Sequence, residues 1–453
     1  MVKLLETVNA MVWGSPTLIL ILSVGLYLSV KTGFFQFTKF PAAWRYFLEK
    51  LRPAQKTQRG VSPYQALCTA LAATVGTGNI AGVAGAITLG GPGAIFWMWI
   101  CALLGMIIKC AEATLSVRYR QAGTDGEFFG GPMYMIEKGL GKKWHPMAVL
   151  YAFFGVVAAF GVGNATQINA VLGGIHSAAS VFGIALSRRT DLIIGVVLAI
   201  VVLLMLSGGA RRIGRIAEGL VPYASCVYLI LGAGVLLVKG SAIPSAFSSI
   251  IRGAFHPEAV TGGVVGSMFI CCRTGAARGV FTNEAGMGTA SIAHAAADVR
   301  HPAEQGMMGI MEVFLDTVVI CTMTALVILC SGVHIPYGTD IGAELTASAF
   351  SQIYGGWVSV VIALCLVCFA LATVLGWGLY GLRCAQYLFG SRVWRLFSFL
   401  QAATVLLGVL LNTGTVWILA ETVNGLMAIP NLIALILLSP VFVGLIKEYS
   451  NKY

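Results

Sequence analysis

Apolar runs of about twenty residues, the length a helix needs to cross a hydrocarbon core, recur along this chain from Met11 to Ile446. They fall at 11–30, 64–89, 94–117, 147–171, 191–207, 217–238, 261–297, 305–331, 356–382, 396–411 and 424–446. The pattern predicts an all-α integral membrane protein with about eleven transmembrane helices,. Two further stretches, 243–260 and 341–355, are too short and too polar to span, and are expected to form short helices or re-entrant pieces. The polar segments 31–62 and 118–146 have the length and composition of linkers. The first of them interleaves aromatic with basic residues in FFQFTKFPAAWRYFLEKLR, as a helix lying on the inner leaflet would,.

Composition removes the soluble alternative: of 453 residues 58% are hydrophobic, 10% are charged and 55 are glycine,. The first run follows a short head with Lys3 and Glu6, and Lys31-Thr32-Gly33-Phe34-Phe35 after it offers no small-residue cleavage site. An anchor is expected there, not a signal peptide,. Eleven cysteines, mostly inside apolar runs, read as core thiols,.

The formal charge is +11, and its placement matters more than its size, because Lys and Arg collect in cytoplasmic loops. With the N-terminus outside, the inner segments carry Lys39, Arg45, Lys50, Arg118, Arg120, Lys142, Lys143, Arg211, Arg212, Arg215, Arg383, Arg392 and Arg395. The outer segments carry chiefly Arg188, Arg189, Lys239 and Arg252. A multi-pass protein of the cell membrane is predicted, N-terminus outside and C-terminus cytoplasmic. The basic excess then reflects topology and contact with anionic lipid, not nucleic-acid binding.

Setting the first run aside leaves five in 64–238 and five in 261–446, and an odd number forces the two halves into opposite orientation. Three units follow: 1–62 as N-terminal helix and amphipathic segment, 63–240 as a first five-helix repeat, 241–453 as a second, inverted one with a short tail. The leading run of each half is interrupted by glycines, in ATVGTGNIAG (73–82) and in RGVFTNEAGMG (278–288). Interrupted runs in corresponding positions point to a transporter with two discontinuous helices at its centre.

Gly76-Thr77-Gly78-Asn79-Ile80-Ala81 also fits a dinucleotide-binding fingerprint, but that motif requires a preceding strand and an acidic residue about twenty positions on. Here the flank YQALCTALAATV is helical in composition and the next acid is Glu112. Small-residue helix packing through Gly78 and Gly82 is a second reading. Against it, Thr74, Thr77 and Asn79 at membrane depth need partners. An unwound segment supplies free N–H groups for a carboxylate and free carbonyls for Na⁺. In the second break Phe281 is placed to cover a substrate. Glu284 at membrane depth is a functional candidate, or else a structural partner of Arg273 or Arg278.

TALAATVGTGNIAGVAGAITLGGPGAIFWMW, GEFFGGPMYMIEKGL and RGVFTNEAGMGTASIAHAAA together closely resemble the alanine or glycine:cation symporter family, and the likeness runs over almost the whole chain. Members of that family resemble the leucine-transporter fold of the amino acid–polyamine–organocation superfamily. The resemblance implies Na⁺-coupled uptake of glycine and of alanine, either enantiomer, with Na⁺ as coupling ion and no other cofactor. Carried to matching positions, it implies a substrate site of Thr77, Gly78, Asn79, Gln167, Phe281 and Trp377. It implies a Na⁺ site from backbone oxygens of Ala73 and Gly76 with the hydroxyl of Thr373.

Physical chemistry runs alongside. Gln167 is an amide inside an apolar run, able to donate to a carboxylate or to hold a broken helix, and Trp377 between two glycines suits a pocket wall. Glu312 and Asp316, an i, i+4 carboxylate pair, could hold a proton or a cation, or pair with Arg273 or Arg278. Protons are therefore the rival coupling ion to Na⁺. Lys109 and Glu112 are placed for a structural i, i+3 ion pair. His294, Asp298 and His301 share one face if the helix runs that far, yet lack a further ligand for a transition metal. Motifs for hydrolysis or ATP binding are missing from the sequence, so an enzyme is not expected. A channel would lack the means to move substrate uphill.

Overall fold

Within the described residues each apolar run is mostly helix. The structure is a computed structural model, and it describes residues 7–9, 11–51, 60–123, 126–410 and 413–452; the head residues Lys3 and Glu6 lie outside these. In chain order the helices are α1 (Ser15–Lys31), α2 (Phe35–Thr38), α3 (Phe40–Lys50), α4 (Pro63–Thr74), α5 (Val83–Gly90), α6 (Ala94–Tyr119), α7 (Pro132–Leu140), α8 (His145–Phe160) and α9 (Thr166–Val181). They continue as α10 (Arg188–Leu206), α11 (Gly209–Val238), α12 (Ile243–Phe255), α13 (Pro257–Thr261), α14 (Met268–Asn283), α15 (Thr289–His294) and α16 (Pro302–Val313). The last are α17 (Thr322–Ser331), α18 (Ala343–Tyr354), α19 (Val358–Phe389), α20 (Trp394–Leu410), α21 (Thr413–Leu437) and α22 (Ser439–Lys452).

Among the described residues seven helices cross a membrane by length and composition, or nine if two bent pairs each count as one span. The bends are 53° between Pro63–Thr74 and Gly78–Gly90 and 61° between Thr422–Leu437 and Ser439–Lys452. The first run is a 17-residue helix, α1. The seventh is the pair α14 and α15, parted at Glu284–Gly288. The short helices expected at 243–260 and 341–355 are α12, α13 and α18. The 118–146 segment is more than a linker: it holds a two-residue antiparallel pairing of Gln121–Ala122 with Phe128–Phe129, then α7.

Local chemistry sets the ends of the broken helix. Ser62 caps α4 in a reciprocal box with Gln65, each side chain taking the other's backbone N–H at 3.1 and 3.4 Å, and Pro63 follows at the first helical position,. Three apolar runs hold π-helical turns that hydropathy does not reveal, at Gly78–Gly82 between α4 and α5, at Gly161–Ala165 between α8 and α9 and at Phe314–Cys321 between α16 and α17. Such turns recur at functional sites.

α6 runs through the middle of the molecule, packed against α14, α16, α15 and α1, while α19 packs against α4, α8, α9 and α11. Gly275 lets α14 approach α6 so closely that a Cβ there would lie 2.2 Å from the Ala94 carbonyl oxygen. Gly275→Ala should therefore destabilise the protein by about 1–3 kcal/mol, seen as a lower thermal unfolding midpoint. Gly173→Ala, with nothing within 4 Å of the new methyl group, should leave the midpoint unchanged.

Candidate functional site

The first break is held open by one amide. Asn79 Oδ1 accepts from the Gly76 N–H at 2.8 Å, a donor that a continuing helix would direct at the Ala72 carbonyl,. Asn79 Nδ2 donates to Asp316 Oδ1 at 2.7 Å and to the Asp316 carbonyl at 3.1 Å, and the Asn79 carbonyl accepts from Thr324 at 2.8 Å. Ending α4 at Thr74 frees the carbonyls of its last turn. Thr373 on α19 faces that opening: a Cβ on Gly76 would lie 2.7 Å from Thr373 Oγ1. The hydroxyl donates to the Phe369 carbonyl at 3.0 Å, so its lone pairs remain for a cation beside the freed carbonyls of Ala73 and its neighbours.

Gln167 ties this break to the π turn before α9. Its Oε1 accepts from Thr77 Oγ1 at 3.2 Å and its Nε2 donates to the Val162 carbonyl at 3.1 Å. That turn also makes room for Trp377, since a Cβ on Gly163 would lie 2.2 Å from Trp377 Cβ. The buried indole N–H donates to Glu284 Oε1 at 2.9 Å.

Glu284 ends α14 in the left-handed conformation, φ 53°, and its other oxygen accepts from Thr289 at 2.5 Å. The glycines that follow expose two N–H groups, and Glu112 from α6 takes both: Oε1 accepts from Gly286 at 3.0 Å, Gly288 at 3.1 Å and Asn431 Nδ2 at 2.7 Å. Tyr151 donates to the Met287 carbonyl at 3.0 Å. The predicted Lys109–Glu112 pair is present at 3.9 Å, but Lys109 also faces Glu312 at 3.5 Å, and all three side chains are fully buried. Glu312 in turn meets His294 at 2.8 Å.

Neither arginine expected beside Glu284 or the carboxylate pair is its partner. Arg278 faces Asp340 at 3.6 Å instead. Helix α15 stops at His294, so His294, Asp298 and His301 share no helical face. Asp316 holds the first break and accepts from Thr317 at 2.7 Å, and so acts apart from Glu312.

Where the two breaks meet lies a cavity of about 20 Å³, lined by Ala73, Gly76, Thr77, Gly78, Gln167, Phe281, Glu284, Thr373 and Trp377 among others. Nine of the residues nominated in the sequence for binding or coupling converge there, with Thr74 beside them. Asn79, Asp316 and Glu312 do not line it; the first two act through the break they hold. Above it a vestibule of about 500 Å³ opens towards Asp340 and Glu344, and Phe281, Thr77 and Gly78 line both spaces. The opposite face is shut. Val61 pairs with the strip after α15, its N–H donating to Ala296 at 3.0 Å and its carbonyl accepting from Asp298 at 2.8 Å. Arg120 donates to the carbonyls of Ala295, at 3.1 Å, and Ala297, and Arg383 meets Glu127 at 2.6 Å while stacking on Phe129.

The description "Sodium:alanine symporter family" matches residues 1–453. The sodium/alanine symporter AgcS of Methanococcus maripaludis is 43% identical, over 99% of this chain and 97% of that protein. The amino-acid carrier protein AlsT of Bacillus subtilis is 36% identical, over 96% of this chain and 89% of that protein. Among solved structures, MhsT in complex with L-phenylalanine is similar with a TM-score of 0.61 at 15% identity, covering 86% of this chain and 99% of that one. The likeness is one of fold, leucine-transporter-like as the sequence predicts.

Glu284 and Trp377 should be energetically coupled. Glu284→Ala and Trp377→Phe each remove the indole–carboxylate bond, so in a double-mutant cycle on thermal unfolding their effects should fall short of additive by about 1–2 kcal/mol. Strict additivity would show that the ring is held by packing alone.

Proposed function

We propose that this chain, which belongs to the sodium:alanine symporter family, carries Na⁺ and a small neutral amino acid, alanine or glycine, together across the membrane by alternating access. The family and fold are those of secondary transporters and not of enzymes. The observation that carries the reading is the meeting of two interrupted helices at one small cavity, with a hydroxyl and freed carbonyls on one wall and a tryptophan on another.

In this reading Na⁺ binds between Thr373 and the carbonyls of Ala73 and Gly76, where hard oxygen ligands suit it. The substrate carboxylate takes the N–H groups at Thr77 and Gly78, beside Gln167, with Asn79 keeping the segment open. Phe281 separates substrate from vestibule, and Trp377, fixed by Glu284, excludes long side chains by overlap. The cavity of about 20 Å³ must enlarge to take a zwitterion, and Phe281, which lines both it and the vestibule, is the side chain placed to move. The ion couples the fluxes because it binds one conformation better than the other. In this reading the shut face, with its basic residues, is cytoplasmic and the N-terminus lies outside, as the positive-inside rule favours. The segments 63–240 and 241–453 then form two inverted five-helix repeats.

Protons are the second reading, since Glu284, Glu312 and Asp316 are ionisable groups fully or nearly fully buried in the protein. Uptake of glycine, L-alanine and D-alanine into proteoliposomes under imposed Na⁺, Li⁺ or pH gradients decides. Accumulation with Na⁺ alone supports the proposal, and accumulation driven by a pH gradient without Na⁺ would replace Na⁺ by H⁺. Asn79→Ala and Gln167→Ala should weaken substrate binding by at least about tenfold while the protein stays folded, about 1.4 kcal/mol. Thr373→Ala should raise the Na⁺ concentration for half-maximal uptake, and an unchanged Na⁺ dependence would remove it from the ion site.

A further inference from the structure

His294 stands where the buried charges meet the shut face. It ends α15, fully buried, and the residues after it, Ala295 to Asp298, are the strip held by Arg120 and Val61. Its Nε2 is 2.8 Å from Glu312 Oε2, and its Nδ1 is 2.7 Å from Gln305 Nε2. The same amide nitrogen lies 3.4 Å from the carbonyl of Pro63, the first residue of α4. A carbonyl only accepts, so the nitrogen end of Gln305 faces it, and that amide also donates to Nδ1. Nδ1 is therefore bare, and the single imidazole proton sits on Nε2, donated to Glu312.

The protonated alternative is provided for by the same side chains. Gln305 Oε1 is buried with no hydrogen-bond partner among the described residues. Half a turn of the amide exchanges Nε2 and Oε1, so that Oε1 accepts from a protonated Nδ1 and the contact with Pro63 is given up. The imidazolium then keeps Glu312 on Nε2 in a charge-assisted bond.

Charged groups surround the imidazole. Facing this region are Lys109 and Glu112 from α6, Glu284 from the second break and Tyr380 from α19, with Asp316 one turn beyond Glu312. On α4 Tyr64 and Cys68 bond to each other, and on α7 Glu137 bonds to Tyr387. Arg383 on α19 is paired with Glu127. Glu112, Glu284 and Glu312 thus share one ammonium, and excess charge at membrane depth is costly. Lys109 Nζ already stands between Glu112 and Glu312, 3.9 and 3.5 Å away, where a metal cation would have to sit.

We propose that His294 is a proton-binding site tied to the shut face. It is neutral while Val61 and Ala297 are paired. When they part it takes one proton from solution on Nδ1, Gln305 turning from Pro63 to accept it. Acid on that face then delays re-pairing, because the anchor on the first residue of α4 is withdrawn.

The proposal rests on the alternating-access reading for the movement of that face, and two measurements separate them. In proteoliposomes with fixed Na⁺ and alanine gradients, uptake should fall severalfold between about pH 8 and pH 6. His294→Gln should flatten that profile and keep the Na⁺ dependence. Gln305→Met, which keeps the imidazole but cannot accept from Nδ1, should do the same and serves if the first variant fails to fold. An unaltered profile in either folded variant overturns the site. The second measurement is nitrogen NMR of the labelled imidazoles in detergent. His294 should hold one proton, on Nε2, in the wild-type chain, and gain a second on acidification in Arg120→Gln, which removes one of the two holds on the strip. A single proton throughout in both proteins overturns the site whether or not the chain transports. Absence of Na⁺-driven uptake by the wild type would instead sink the functional reading and leave NMR to decide this one.

Discussion

A helix that opens inside a membrane exposes N–H and C=O groups that lipid cannot satisfy, so each must find a partner within the protein. The remaining architecture follows from that constraint. The N–H freed at Gly76 is taken by Asn79, and those freed at Gly286 and Gly288 by Glu112. The π turn at Gly161–Ala165 has its Val162 carbonyl covered by Gln167. Glycine permits each opening, and a buried amide or carboxylate fixes its shape.

Those side chains must themselves be anchored, and the anchors knit four segments together. Asn79 leans on Asp316 and Thr324, Glu112 on the second break, Asn283 on Thr317 at 3.3 Å, and Lys109 on Glu312. The broken pair α4–α5, the broken pair α14–α15, α6 and the α16–α17 run are thus mutually bonded at depth. Towards α8, α9 and α19 the buried links near the cavity are Thr77 to Gln167, Met287 to Tyr151 and Glu284 to Trp377. Near the cavity the unit is thus bonded more densely within itself than to α8, α9 and α19, which suits movement against those helices. Two of those three crossing links line the cavity, so a ligand bound there would touch the joint directly.

Much of this was legible in the sequence. Glycines beside Thr, Asn and Glu inside apolar runs marked both breaks, and nine of the nominated residues meet at one cavity. The partners were not legible, because they come from far along the chain: Asn79 and Asp316 are 237 residues apart and Glu112 and Asn431 are 319. Nearness in sequence misled for Glu284. Arg278 lies six residues earlier, about 240° around the helix, and Arg273 about 16 Å further along its axis. Arg278 therefore points to another side of the helix, and Arg273 is out of reach. The π turns were invisible because an extra residue per turn leaves hydropathy unchanged.

The two faces are sealed by different means, and the difference bears on how a cycle can be balanced. Towards the vestibule a single ring, Phe281, stands between the cavity and a space of about 500 Å³. On the other side backbone pairing at Val61, two arginines and a carboxylate close the path. Each such hydrogen bond contributes about 1 kcal/mol net, so parting that face loses a few kcal/mol in all. Alternation requires two states separated by no more than that, and closure of the vestibule must return it. Arg278 and Asp340 are already 3.6 Å apart at the rim, with Asp340 exposed, so their pair contributes little to that return. A ligand bound in the cavity would then have only to tilt a nearly level equilibrium.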